Sequence, residues 1–197
     1  LQILGQDECI DALSAYLGDE SLSGPASRAL AAIGSENAGK ALKAGLMRRM
    51  GTPKTQKDII VAIGEAQVAD SEELLKALLG SGDESMQKAV LHSLSRVGSK
   101  ASIKDMAEAA AASGYTMTKT NANEAYIALL KRVAAQGDVI EVEKAANDLL
   151  KKATKANQTQ TRDAALQILL SLKKENSTKL LLSALKDGNK EYRNAAL

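Results

Sequence analysis

Histidine and cysteine each occur once in the 197 residues, as His92 and Cys9, and that scarcity limits the chemistry open to the chain. Nucleophilic catalysis needs a nucleophile held beside a base. One helical turn either side of His92 stand Lys88 and Arg96, and no cysteine or aspartate lies within that turn. A zinc site needs clustered Cys and His ligands, and a calcium loop needs acidic residues at alternate positions. Neither pattern is present: Asp19-Glu20 and Asp83-Glu84 each follow a glycine and read as turn and helix-cap carboxylates. Glycine-rich phosphate loops are absent, and with them the strand such loops require. The reading is a chain with no enzymatic activity, no cofactor and no metal site, in which Cys9 is a buried small apolar residue that cannot form an internal disulfide.

The element that positions His92 is a module running from Gly82 to Gly98. Gly82-Asp83 breaks the preceding apolar run and Ser85 is placed to cap. Met86, Ala89, Val90, Ser93, Leu94 and Val97 then recur at steps of three and four, which is one buried helical face. Lys88, His92 and Arg96 fall on the opposite side at steps of four, and Gly98 is expected to close the helix in a left-handed cap. The closing Leu-x-x-apolar-Gly recurs as Leu30 to Gly34 and Ile60 to Gly64. Leu1 to Gly5 reads as the tail of a further copy, and Gly18-Asp19-Glu20-Ser21 duplicates the turn at Gly82. Two later copies lack the glycine, Leu130 to Ala134 and Leu169 to Lys173, and Tyr192 to Leu197 reads as the start of another. Copy ends near 5, 34, 64, 98, 134 and 173 put the period between 29 and 39 residues, which is the signature of stacked helical pairs.

Composition agrees with that architecture. With 45% hydrophobic and 25% charged residues the chain is long and apolar enough to bury a core. Aromatics make up only 2%, with no Trp or Phe, which suits closely packed layers of Ala and Leu and argues against a sandwich or an aromatic sugar cleft. A net charge of +2 with both signs interspersed points to no dominant acidic or basic partner. No apolar run approaches the length of a membrane helix and no signal-peptide pattern opens the chain, so a soluble segment is expected, with cytoplasm and export both left open. The start within a helix tail, the missing initiator Met and the stop inside a further copy suggest a piece of a longer polypeptide.

These copies resemble HEAT repeats, particularly the bacterial kind related to phycobilisome-lyase repeats, whose consensus is similar to V-R-x-A-A-x-x-A-L-x-x-I-G. Thr161-Arg162 and Tyr192-Arg193 keep part of the Val-Arg position, while Met86-Gln87, Leu22-Ser23 and Thr52-Pro53 depart from it. The resemblance covers nearly all of 1–197. It implies one all-α domain, a right-handed α-α superhelix of about six helical pairs, with second helices lining an inner face. It also implies a noncatalytic scaffold that binds a protein or a neighbouring domain of the same chain. Some HEAT-like arrays bind DNA, and others stand beside carbohydrate-active domains in exported bacterial proteins, so a nucleic-acid module and a spacer in such a protein are the alternatives.

The inner stripe can be laid out copy by copy: Gly24, Arg28, Ala32; Lys54, Asp58, Ala62; Lys88, His92, Arg96; Glu124, Ala128, Arg132; Asp163, Gln167, Ser171. Asp58, Glu124 and Asp163 interrupt what a phosphate-tracking surface would show as a continuous basic rail with stacking aromatics, so nucleic acid is disfavoured. The expected partner-binding residues are Arg28, Lys54, Asp58, Lys88, His92, Arg96 and Arg132, joined by Tyr115 in the long turn Ser113 to Thr118, where Met117 is also placed for contact.

Overall fold

The computed structural model describes residues 6–173 and 177–194, so the copy tail at 1–5 and the end of the last copy, 195–197, lie outside the described residues. Among the described residues there are twelve α-helices and two short 3-10 turns, with no strand. The chain divides into two compact units, Leu1–Gly98 and Ser99–Leu197. Each holds three successive helical pairs.

In the first unit the first helices of the pairs are α1 (Ile10–Ser14), α3 (Glu36–Met47) and α5 (Glu72–Lys76), and the second helices are α2 (Ser23–Ile33), α4 (Pro53–Glu65) and α6 (Glu84–Val97). The second helices stack on one another, α2 on α4 and α4 on α6, each also packing on its own first helix. α6 buries Met86, Ala89, Val90, Ser93 and Leu94 as the spacing predicts, and Leu91 and Ser95 besides, because helices flank it on more than one side. Full burial of Val90 or Leu94 contributes about 1.5–3 kcal/mol each.

Several ends differ from the sequence reading. Asp83 caps α6, its carboxylate accepting from the Met86 amide at 2.8 Å, whereas Ser85 accepts from the Lys57 ammonium at 3.1 Å. An aspartate in extended backbone reaches the third amide, and Ser85, already inside the first turn, does not. The turn at Gly18 is not a copy of this: Asp19 Oδ1 accepts from the amides of Ser21 and Leu22, a closed turn of its own. Gly34 takes the expected left-handed conformation at φ 65°, but Gly98 sits at φ −60°, ψ 148°, running directly into the Ser99 cap of the next turn.

Gly64 lies inside α4, and the left-handed residue that ends this copy is Gln67 at φ 49°. The glycine is required by a neighbour: a Cβ on Gly64 would come within 2.5 Å of Ser93 Oγ and 2.7 Å of Ser93 Cα. Here α4 and α6 touch nearly backbone to backbone. Ser93 Oγ donates to the Ile60 carbonyl at 2.8 Å and Arg96 Nε to the Gly64 carbonyl at 2.9 Å, so both satisfy main-chain oxygens of the adjoining helix. Cys9 is half-buried rather than buried, because it ends a 3-10 turn at the edge of α1.

The second unit begins with a 3-10 turn and continues through α7 (Ile103–Ala112), α8 (Ala122–Ala135), α9 (Val139–Lys155), α10 (Thr159–Lys173), α11 (Thr178–Leu185) and α12 (Lys190–Asn194). α9 buries Val142, Ala146, Leu149 and Ala153 against α8 and α10. Val139 is exposed because it forms the first turn beyond the packed stretch. Leu166, Ala184 and Tyr192 form the core of the last helices, with Leu150, Leu170 and Leu180 around them. Arg162 is buried here, its guanidinium 3.9 Å above the Tyr192 ring and 2.5 Å from the Asp187 carboxylate.

Candidate functional site

The stripe residues of the first unit do not share one environment. Arg28, Lys54, Lys88 and His92 are exposed, Asp58 and Arg96 are half-buried, and Ala62 is buried between α4 and its neighbours, which removes it from the accessible stripe. Arg96 turns its Nε to the Gly64 carbonyl. Lys54 donates from its ammonium to the Glu20 carbonyl in the turn before α2. Asp58 Oδ2 accepts from Ser23 Oγ at 2.6 Å. The side chains of Arg28, Lys88 and His92 make no hydrogen bond or ion pair with any described residue.

Gly24 shapes the middle of this face. A Cβ there would lie 3.4 Å from Arg28 Nη1 and 3.5 Å from Asp58 Oδ2, so the guanidinium and the carboxylate approach across a bare backbone. Sequence reasoning placed Gly24 on the stripe only as an empty position, and it missed Ser23, whose hydroxyl orients Asp58. No periodic signal marks Ser23, because it is buried at the helix start and acts on the next helix.

In the second unit the stripe changes character. Glu124 and Asp163, which occupy the register of Lys54 and Lys88, each hold one buried carboxylate oxygen, Oε2 and Oδ1, that accepts no hydrogen bond. Desolvation pushes the Asp163 carboxyl above its ordinary value, the Arg162 charge opposes this, and Glu191 adds to it. Arg132 is half-buried and engaged with other residues. Tyr115 sits at φ 59° in the turn between α7 and α8, its carbonyl accepting from Thr161 Oγ1 at 2.7 Å while Thr161 accepts from Asn123 Nδ2 at 2.8 Å. The turn is thereby tied down on α10, and Met117 beside it remains largely exposed. Lys152 on α9 is held charged first by its bond to Asp148 and also by Tyr115.

Among the described residues no group of three or more His, Cys, Asp or Glu is arranged to hold a metal ion, and no helix is long and apolar enough to cross a membrane. Two surface pockets of the first unit lie away from the stripe. One is between the end of α2, the start of α3 and residues 66–70; the other is between α1 and α3.

Residues 46–127 match the profile of a known family, HEAT repeats. That stretch is HEAT-like. No curated protein and no solved structure matches the chain. HEAT repeats in general serve as noncatalytic scaffolds for protein interaction. The matched HEAT stretch contains α4 and α6 and therefore Lys54, Asp58, Lys88, His92 and Arg96, together with Tyr115; Arg28 and Arg132 fall outside it.

Proposed function

We propose that this chain is a noncatalytic scaffold, one HEAT array over 1–197, that docks a protein or a neighbouring domain of its own chain on the polar side of the second helices. The observation that carries the reading is that Arg28, Lys88 and His92 stand exposed and unpaired on the stacked α2, α4 and α6. Lys54 and Asp58 border them in prearranged positions, held by Glu20 and Ser23. Arg96 supports the face through the Gly64 carbonyl rather than offering its charge. Tyr115 and Arg132 are a second, separate contact region on the second unit.

Charge reversal tests this. Arg28→Glu with Lys88→Glu is expected to weaken binding to captured partners by about tenfold or more, a loss of ~1.4 kcal/mol, with helicity by circular dichroism unchanged. Capture is run with and without nuclease. Retention of every nuclease-resistant partner by the double variant would sink the assignment of this face.

A further inference from the structure

The chemistry of the partner can be argued from how charge is distributed over α2, α4 and α6. Along that face the exposed cationic or titratable side chains are Arg28 on α2, Lys54 in the first turn of α4, and Lys88 and His92 on α6. Lys54 and Lys88 share one register of the repeat, and Arg28 and His92 share the register one turn on. The carboxylate in this band, Asp58, is half-buried and already accepts from Ser23 Oγ. Exposed carboxylates, Asp19, Glu20, Asp83 and Glu84 on one side and Glu65 on the other, lie toward the helix ends, Asp19 near enough to Lys54 to feel its charge, and the cationic band lies between them. Gly24 carries no side chain at its centre, and Arg28 Nη1 and Asp58 Oδ2 lie over its backbone.

The spacing of the band sets the form of what it binds. Packed helices lie about 8–10 Å apart, and a chain in the polyproline II form rises about 3.1 Å per residue with three residues per turn, so every third side chain faces the same way and three residues cross from one helix to the next. Resting on the scaffold reading above, we propose that this band binds an extended, acidic segment of a partner protein whose carboxylates recur every third residue, one reaching each of α2, α4 and α6. Arg28 receives the first with a planar fork, and Lys54 and Lys88 receive the others as point charges. A nucleic acid is the poorer occupant: α2, α4 and α6 hold no Phe, Tyr or Trp on which successive bases could stack.

The probe is a fluorescein-labelled peptide, Gly-Glu-Gly-Ser-Glu-Gly-Ser-Glu-Gly-Ser, titrated with the intact chain and followed by anisotropy. Comparators are the same peptide with Lys for Glu, the same composition with the three Glu adjacent, and a twelve-residue oligothymidylate. The spaced Glu peptide is expected to bind about tenfold more tightly than the Lys peptide. Its affinity should fall about fivefold in Lys54→Gln/Lys88→Gln and again with added salt, while Lys104→Gln on α7 changes nothing. Equal binding of the adjacent-Glu peptide would overturn the spacing. Tighter binding of the oligothymidylate, or no peptide binding up to about 1 mM, would overturn the acidic segment. If the Lys peptide wins and Asp58→Asn abolishes its binding, the acidic chemistry falls while the scaffold face stands.

Discussion

Asp163 and Asp187 both feel the charge of Arg162 and titrate in opposite senses. Desolvation raises Asp163, so its ionised form is penalised in the folded chain relative to the unfolded one. The penalty is absent below the ordinary aspartate range and grows as pH rises through the raised value. Asp163→Asn is therefore expected to raise the urea midpoint at pH 7, and the gain should vanish in acid. Asp187 is lowered, first by the Asn189 amide and then by Arg162. It stabilises the fold above the ordinary range, and that contribution is lost as pH falls through its lowered value, so Asp187→Asn should destabilise at pH 7 and become neutral in strong acid. Gly64 gives a test at the same scale. Gly64→Ala gains about 1 kcal/mol of helix propensity but collides with Ser93, and a net loss of about 1–3 kcal/mol is expected by urea unfolding. Ser93→Ala should not rescue it, because the Ser93 Cα itself stands 2.7 Å from the new methyl.

At the scale of elements, helix ends add to what the buried middles supply. Asp83→Ala removes the cap of α6 and is expected to cost about 0.5–2 kcal/mol, whereas Ser85→Ala, which loses only an exposed bond to Lys57, should stay within about 0.5 kcal/mol. Hydrogen exchange should place the loss in α6. Arg162 binds α10 to α12 through the Tyr192 ring and to the connecting turn through Asp187. Arg162→Ala leaves a hole beside Tyr192 and frees Asp187. Faster exchange confined to α11 and α12 is expected, with the protection of α2, α4 and α6 unchanged. Unfolding spread evenly over the chain would contradict that role for Arg162.

For the whole molecule, the expectation is that binding and stability separate: Lys88→Glu alters binding with no change in melting, because its side chain bonds to no described residue. What the sequence determined by itself is the repeat. Apolar residues at steps of three and four can be buried only on one side of a helix, so Val90, Leu94 and their equivalents named the core and left Lys88 and His92 outside. The number and order of helical pairs followed from the same period, since turns must fall where the period breaks. What only the tertiary structure decided lies between repeats. That Arg96 serves a carbonyl of α4, that Gly64 is a contact glycine rather than a stop, and that Ser23 orients Asp58 all depend on the neighbouring helix some 30 residues away. A one-dimensional pattern fixes which face a residue occupies; the distance to the next helix fixes whether its polar atoms are free to meet a partner.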